Sequence, residues 1–142
     1  MNVCISGYFD VLHVGHLAYL KNARSLIQGD GKLIIIVNNA NQAVLKKGKE
    51  FMPCKERIEI LQELRDADIV IESIDDDRTV CKTLEMAHEK YGVSIFANGG
   101  DQFNDIIPEK VICERLNIQL VDGLGDKIQS SSWLTGLKPL KK

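Results

Sequence analysis

The sequence has no large excess of charge of one sign: 18 Lys plus Arg face 20 Asp plus Glu, a net charge of −2. That balance gives no general attraction to nucleic acid or to an anionic membrane, so neither partner is expected, and any positive cluster must be local. Paired cysteines are also missing. Cys4, Cys54, Cys81 and Cys113 form no CxxC and have no histidine at ligand spacing, which speaks against zinc and for buried or half-buried thiols. No apolar run approaches membrane-spanning length. Residues 1–6 run straight into a polar turn and leave no room for a basic, cleavable leader, so the cytoplasm is the expected compartment. Repeats and low-complexity tracts are absent as well. A chain of 142 residues suits one domain with one sound core.

Five short apolar runs bounded by turn signals are present: Val3 to Ile5, Leu33 to Val37, Ile69 to Ile71, Ser94 to Ala97 and Ile118 to Val121. Between them lie helical spacings, at Leu17, Leu20, Ala23 and Ile27; at Ile58, Leu61 and Leu64; at Val80, Leu84, Ala87 and Tyr91; and at Val111, Ile112 and Leu116. Pro53 suits the first turn of the second of these helices and Pro108 the start of the fourth, where a missing N–H is harmless. Alternating strands and helices predict a doubly wound, Rossmann-like five-stranded parallel sheet in a three-layer α/β/α sandwich. A single domain is expected over residues 1–136, with a fraying tail at 137–142. Gly48, set among Lys46, Lys47 and Lys49, reads as a mobile basic loop. Asp75, Asp76 and Asp77 read as loop solvation or a helix start rather than a metal site. His88 reads as a mid-helix surface residue.

In such sheets ligands lie beyond the carboxyl ends of the strands. The polar segments GYFDVLHVGH, NNANQAVLKKGK, NGGDQFND and GLGDKIQSSSW all follow strands. The first contains two of the three histidines. Gly7 permits a tight turn off the strand, and a helix starting near Val14 directs its unpaired backbone N–H groups at that turn, which makes an anion site. His13 and His16, three apart, share one helix face, and Gly15 removes a side chain that would block a phosphate. The plainer alternative is a pair of helix-start residues satisfied by backbone carbonyls.

GYFDVLHVGH resembles the signature of the cytidylyltransferase-like nucleotidyltransferases: an aromatic, an Asp, two variable residues, then His-x-Gly-His. The resemblance extends to KKGKEFMPCKER, similar to the family's basic loop and Arg-bearing helix, to ELRDADIVIE, and to SSSW at a Ser/Thr-rich helix start. It implies transfer of a nucleoside monophosphate from a triphosphate to a phosphorylated small-molecule acceptor, releasing pyrophosphate. The acceptor oxygen is already ionised, so catalysis reduces to aligning polyanions and stabilising growing charge.

By resemblance, His13 and His16 hold the triphosphate and stabilise the transition state, Lys46 (or Lys47) neutralises donor and acceptor phosphates, and Arg57 offers its fork to a phosphate. The bland alternative for Arg57 is a surface ion pair with Glu56 or Glu59. Gly7, Tyr8, Phe9, Gly15 and Gly99 lie around the nucleotide, Asp101 meets the nucleoside, and Ser130 and Ser131 cradle the leaving phosphates. A turn role for Asp101 and simple capping by the serines are the rivals. Arg65, Lys47 and Asp10 fall on the acceptor side, although Arg65 also reads as an exposed helix-end residue and Asp10 as an organiser of the turn. Magnesium is expected to arrive with the triphosphate, no protein metal site is expected, and a homodimer is what the resemblance implies.

The chain departs from the glycerol-phosphate branch near Gly125, where an arginine is expected and Lys127 is the nearest cation. Tyr8 stands where relatives carry Thr, Cys or Ile. CTP with a glycerol 3-phosphate-like acceptor is the first expectation, from the short chain and the Lys46–Arg57 spacing. The segment NGGDQFNDIIPEK resembles the sugar-phosphate branch, which implies ATP with a heptose 1-phosphate-like acceptor instead. A nucleotide sensor without turnover, or a flavodoxin-like carrier, is the reading from another class.

Overall fold

The run Leu33 to Val37 is apolar without a break because both of its faces are covered. Leu33, Ile35 and Val37 pack into one core and Ile34 and Ile36 into the other, as the two-residue period of a strand requires. A computed structural model describes residues 1–99 and 108–124. Its strands are β1 (Val3–Gly7), β2 (Leu33–Val37), β3 (Ile69–Glu72), β4 (Ile95–Gly99) and β5 (Gln119–Leu124). All pair in parallel, in the order β3-β2-β1-β4-β5. The sequence-based fold class is therefore observed: a single-domain, doubly wound α/β sandwich.

The helices are α1 (Val14–Arg24), α2 (Ala40–Lys47), α3 (Cys54–Gln62), α4 (Cys81–Tyr91) and α5 (Glu109–Leu116). Leu20 and Ala23 of α1 and Leu61 of α3 share one core with β1 and β2. Leu84 and Ala87 of α4 and Cys113 of α5 build the other. Strand order reverses between β1 and β4, so a crevice opens past Gly7 and Gly99. Tyr19 of α1 donates to the Ala97 carbonyl at 2.8 Å, fixing α1 against β4 below that crevice.

Several local expectations are corrected. The expected basic loop is the end of α2: Lys46 and Lys47 form its last turn and Gly48 closes it at φ 85°. Its start is a reciprocal cap, in which the Asn39 side chain accepts from the Gln42 N–H and the Gln42 side chain accepts from the Asn39 N–H. Of the two expectations for the acidic run, Asp75 meets the second: it is buried, not solvating a loop, and its carboxylate accepts from the Lys82 and Thr83 N–H groups, both at 2.9 Å, at the start of α4. His88 is half-buried, with the Val93 N–H 3.2 Å from its Nδ1. Pro53 and Pro108 sit at the N-cap positions of α3 and α5, one residue before the helices begin. Ile27 packs on the core beyond the end of α1. Three cysteines are buried and Cys81 is half-buried, all free, as the spacing indicated.

Candidate active site

After Gly7 the chain must turn from β1 into α1, and Phe9 makes the turn at φ 54°, a left-handed conformation that costs a non-glycine residue roughly 1–3 kcal/mol. Burial of its ring offsets that strain: Phe9 is 1% exposed and lies against His16, ring centroids 4.9 Å apart. Gly7 leaves room beside it, since a Cβ there would stand 3.0 Å from the Phe9 ring and press on it. The reversal sends Phe9 into the α1–α3 core, while the Tyr8 ring lies under the Lys46 ammonium.

His13 is the N-cap of α1, in an extended conformation. Its Nδ1 accepts the Gly15 N–H at 3.1 Å, and the His16 Nδ1 accepts the His13 N–H at 3.2 Å. A capping box normally built from Ser/Thr and Glu/Gln is here built from two imidazoles. The rings stack with centroids 3.9 Å apart and planes inclined by 24°. A ring nitrogen that accepts carries no proton, so both neutral rings are assigned the Nε2–H tautomer. Each keeps one N–H donor besides the helix N-terminus. Burial, then the neighbouring His13, Lys47 and Lys46 charges, pushes the His16 pKa down to about 3. Burial and then Lys47 lower that of His13. The pair is therefore neutral at pH 7 and donates without first releasing a proton.

Asp10 is 1% exposed and accepts the Phe51 N–H at 2.8 Å and the Met52 N–H at 2.6 Å. Its carboxylate thereby joins the β1 turn to the α2–α3 connection. Lys47, expected on the acceptor side, is buried and donates from Nζ to the Asp10 carbonyl at 2.8 Å. Burial lowers its pKa, with Asp10 opposing that shift and Arg57 adding to it. Lys46 takes a different direction, its Nζ 4.3 Å from the centroid of the Tyr8 ring.

Arg57 was expected to hold out its fork to a phosphate. It is 0% exposed, and that fork is occupied: Nε donates to the Met52 carbonyl at 2.9 Å, and one terminal nitrogen to the Tyr8 and Asn38 carbonyls at 2.6 and 2.8 Å. The other pairs with Glu50, not with Glu56 or Glu59. Arg57 thus fastens the turn after β1 to the end of β2 and the start of α3. Arg65 is exposed and follows α3, a helix that begins at the ligand edge and runs back about 13 Å at 1.5 Å per residue. Arg65 lines a groove with Leu17, Leu20, Lys21, Leu64 and Asp66.

Gly99 ends β4 at the crevice. Asp101, Gly125, Lys127, Ser130, Ser131 and residues 137–142 lie outside the described residues. Among those described, no three His, Cys, Asp or Glu side chains gather as metal ligands, and the Asp10 carboxylate is already engaged by backbone N–H groups. The described residues therefore do not fit a protein-held magnesium site. Sequence reasoning missed Asn38, whose carbonyl accepts from Arg57. It also missed α2, although its capping pair Asn39 and Gln42 stood at the right spacing.

Two neutral imidazole rings capping the start of α1, with Lys46 and Lys47 near them, lie at the sheet crevice of an α/β fold. The chain belongs to the cytidylyltransferase-like family, whose model matches residues 4–132, and is an enzyme of the nucleotidyltransferase class. An FAD synthase of Thermococcus kodakarensis is 30% identical over 84% of this chain and 71% of its own length. The bifunctional protein HldE of Aliarcobacter butzleri is 30% identical over 85% of this chain and 24% of its own. The solved structure of a lipopolysaccharide core biosynthesis protein from Thermoplasma volcanium superposes with a TM-score of 0.68 at 24% identity, covering 91% of this chain and 98% of that one, a likeness of fold. No helix among the described residues is long and apolar enough to cross a membrane.

Proposed function

We propose that the protein transfers a nucleoside monophosphate from a nucleoside triphosphate to the phosphate of a small phosphorylated acceptor. An acceptor phosphate oxygen forms a bond to the α-phosphorus, the bond from that phosphorus to the bridging oxygen breaks, and pyrophosphate leaves. The observation that carries this reading is the histidine capping box. With both Nδ1 atoms held by backbone N–H groups, the neutral Nε2–H donors of His13 and His16 are set beside the α1 N-terminus, where phosphate charge grows. Lys47 adds positive charge near both rings. Lys46 is assigned to the acceptor side, and Gly15 and Gly99 to the nucleotide. Arg57 and Asp10 act as positioning residues that fix the turn. Arg65 is given no contact with substrate. Magnesium belongs to the triphosphate in this reading, and its chemistry there is to offset phosphate charge.

FAD synthases among the relatives favour ATP as donor, because FAD is an adenylate joined to the phosphate of a flavin mononucleotide. The matching segment of HldE supports a phosphorylated acceptor of the sugar class equally well. CTP with glycerol 3-phosphate rested on the short chain and on the spacing of Lys46 and Arg57, and that spacing loses its weight once the Arg57 fork is closed. A homodimer in the cytoplasm remains the proposal for assembly and location.

The test is magnesium-dependent pyrophosphate release, pairing each of ATP, CTP, GTP and UTP with flavin mononucleotide, sugar phosphates and glycerol 3-phosphate. Release should require one triphosphate and one acceptor, and should fall about 10²–10³-fold in kcat for His16→Ala. Triphosphate binding without turnover for any pair would favour a sensing module.

A further inference from the structure

The reciprocal cap of α2 uses the side-chain oxygens of Asn39 and Gln42, and each amide nitrogen still carries two N–H donors. Those of Asn39 reach the Ser73 and Asp75 carbonyls at 3.0 and 2.9 Å, and those of Gln42 reach the Asp77 and Thr79 carbonyls at 2.7 and 2.8 Å. Every second carbonyl from Ser73 to Thr79 is thus held by one of two side chains. Capping alone does not ask for this. It needs only an acceptor oxygen, which Ser, Asp or Glu supplies as well. An amide caps with its oxygen and donates with its nitrogen, and the carbonyl partners, which can only accept, fix which end is which. Gln42 is 0% exposed, and its oxygen accepts from the Asn39 N–H at 2.9 Å and from Asn38 Nδ2 at 3.0 Å, so the whole amide is bonded.

The clamped segment joins β3 to α4 and leaves the sheet at the edge where ligands lie. The clamp starts beside β1, because Asn38, one residue before the cap, donates its N–H to the Gly7 carbonyl at 2.9 Å. The α4 helix packs in the core on the other face of the sheet from α1, so residues 73–79 approach the crevice from the side away from the histidine turn. A triphosphate gripped at the α1 N-terminus leaves that side to the acceptor, since in-line transfer sets the acceptor opposite the leaving pyrophosphate. Holding such a connection in one conformation costs entropy, and the clamp meets that cost before any substrate arrives. Resting on the transferase reading above, we propose that Asn39 and Gln42 are positioning residues for the phosphorylated acceptor. Acting through the backbone of residues 73–79, they preset the wall against which the acceptor binds.

The test is a titration of the full chain with flavin mononucleotide and, separately, with glucose 1-phosphate, followed in backbone amide NMR spectra that also report folding. It is run with and without a saturating non-hydrolysable ATP analogue, on the wild type, Asn39→Ser, Asn39→Asp and Gln42→Glu. All three variants keep a capping oxygen and lose the paired donors, and Asn39→Ser does so without adding charge. Asn39 is half-buried and serine caps about as well as asparagine, so the outcome does not depend on the buried Gln42 position tolerating a carboxylate. Asn39→Ser should weaken whichever phosphomonoester the wild type binds by about tenfold, because binding must then also order the segment. Affinity for the ATP analogue should stay within about twofold, a split that general loosening of the fold would not produce. Unchanged phosphomonoester affinity in Asn39→Ser, equal weakening of both ligands, or a wild type that binds neither phosphomonoester would overturn the assignment. Failure of the wild type to bind the ATP analogue would count against the transferase reading instead, while the titrations without analogue still read the clamp.

Discussion

The two sides of the turn after β1 are built by different means. On the α1 side, His13, Gly15 and His16 fix one another through bonds spanning two or three residues, and the donors they present are neutral. On the Tyr8 side, Lys46 comes from a separate segment, and the group over the ring is charged. A local motif sets tautomer and direction, which suits a task common to every triphosphate. Between them, Arg57 and Asp10 hold the turn in place from α3 and the α2–α3 connection.

The largest effect expected is on that shared support. Arg57→Met removes the guanidinium from three backbone carbonyls and Glu50, and should destabilise the fold by about 3 kcal/mol or more, read as a lower denaturant midpoint. If the midpoint is unchanged, the two sides do not depend on a common brace.

A second effect separates the sides by pH. The His13 and His16 pKa values are lowered in the folded state, so the unfolded chain binds more protons between the folded value, about 3 for His16, and the ordinary 6.5. Their contribution to stability is fully present above about 6.5 and is lost as pH falls through that window, with a slope approaching ~1.4 kcal/mol per pH unit per histidine. A protonated Nδ1 cannot accept the capping N–H, so triphosphate affinity should reflect the same loss. Urea unfolding between pH 4 and 7, comparing wild type with His16→Gln, checks this; equal slopes would remove His16 from the account.

The smallest effect concerns α2. Asn39→Ala removes the helix cap and its bonds to the Ser73 and Asp75 carbonyls, and should lower stability by about 1–2 kcal/mol. Because Lys46 and Lys47 lie at the other end of α2, kcat should change less than it does for His16→Ala. A kcat loss as large as that of His16→Ala would show that the cap matters for the site and not only for the helix.

The histidine turn was legible in the sequence because its information is local: residue type, spacing and a strand before it. The plainer expectation had the rings bonded to backbone carbonyls; instead backbone N–H groups donate to both Nδ1 atoms, which leaves each Nε2 as the donor. Arg57 was misjudged because spacing gives distance along a helix but not which carbonyls lie around it. Lys46 was preferred over Lys47 only slightly from the sequence; α2 turns the first toward Tyr8 and the second toward Asp10. The Gln42 bonds carried no local signal at all, since the Asp77 and Thr79 carbonyls are far away in the chain.

Periodicity and apolar runs alone determined the alternation of strands and helices, hence the parallel sheet and the edge where ligands lie, because backbone hydrogen bonding and burial follow patterns a few residues long. Tertiary structure decided which charged groups face that edge and which are spent on the fold. That choice depends on desolvation and on acceptors supplied by distant segments, and both exist only once the layers have packed.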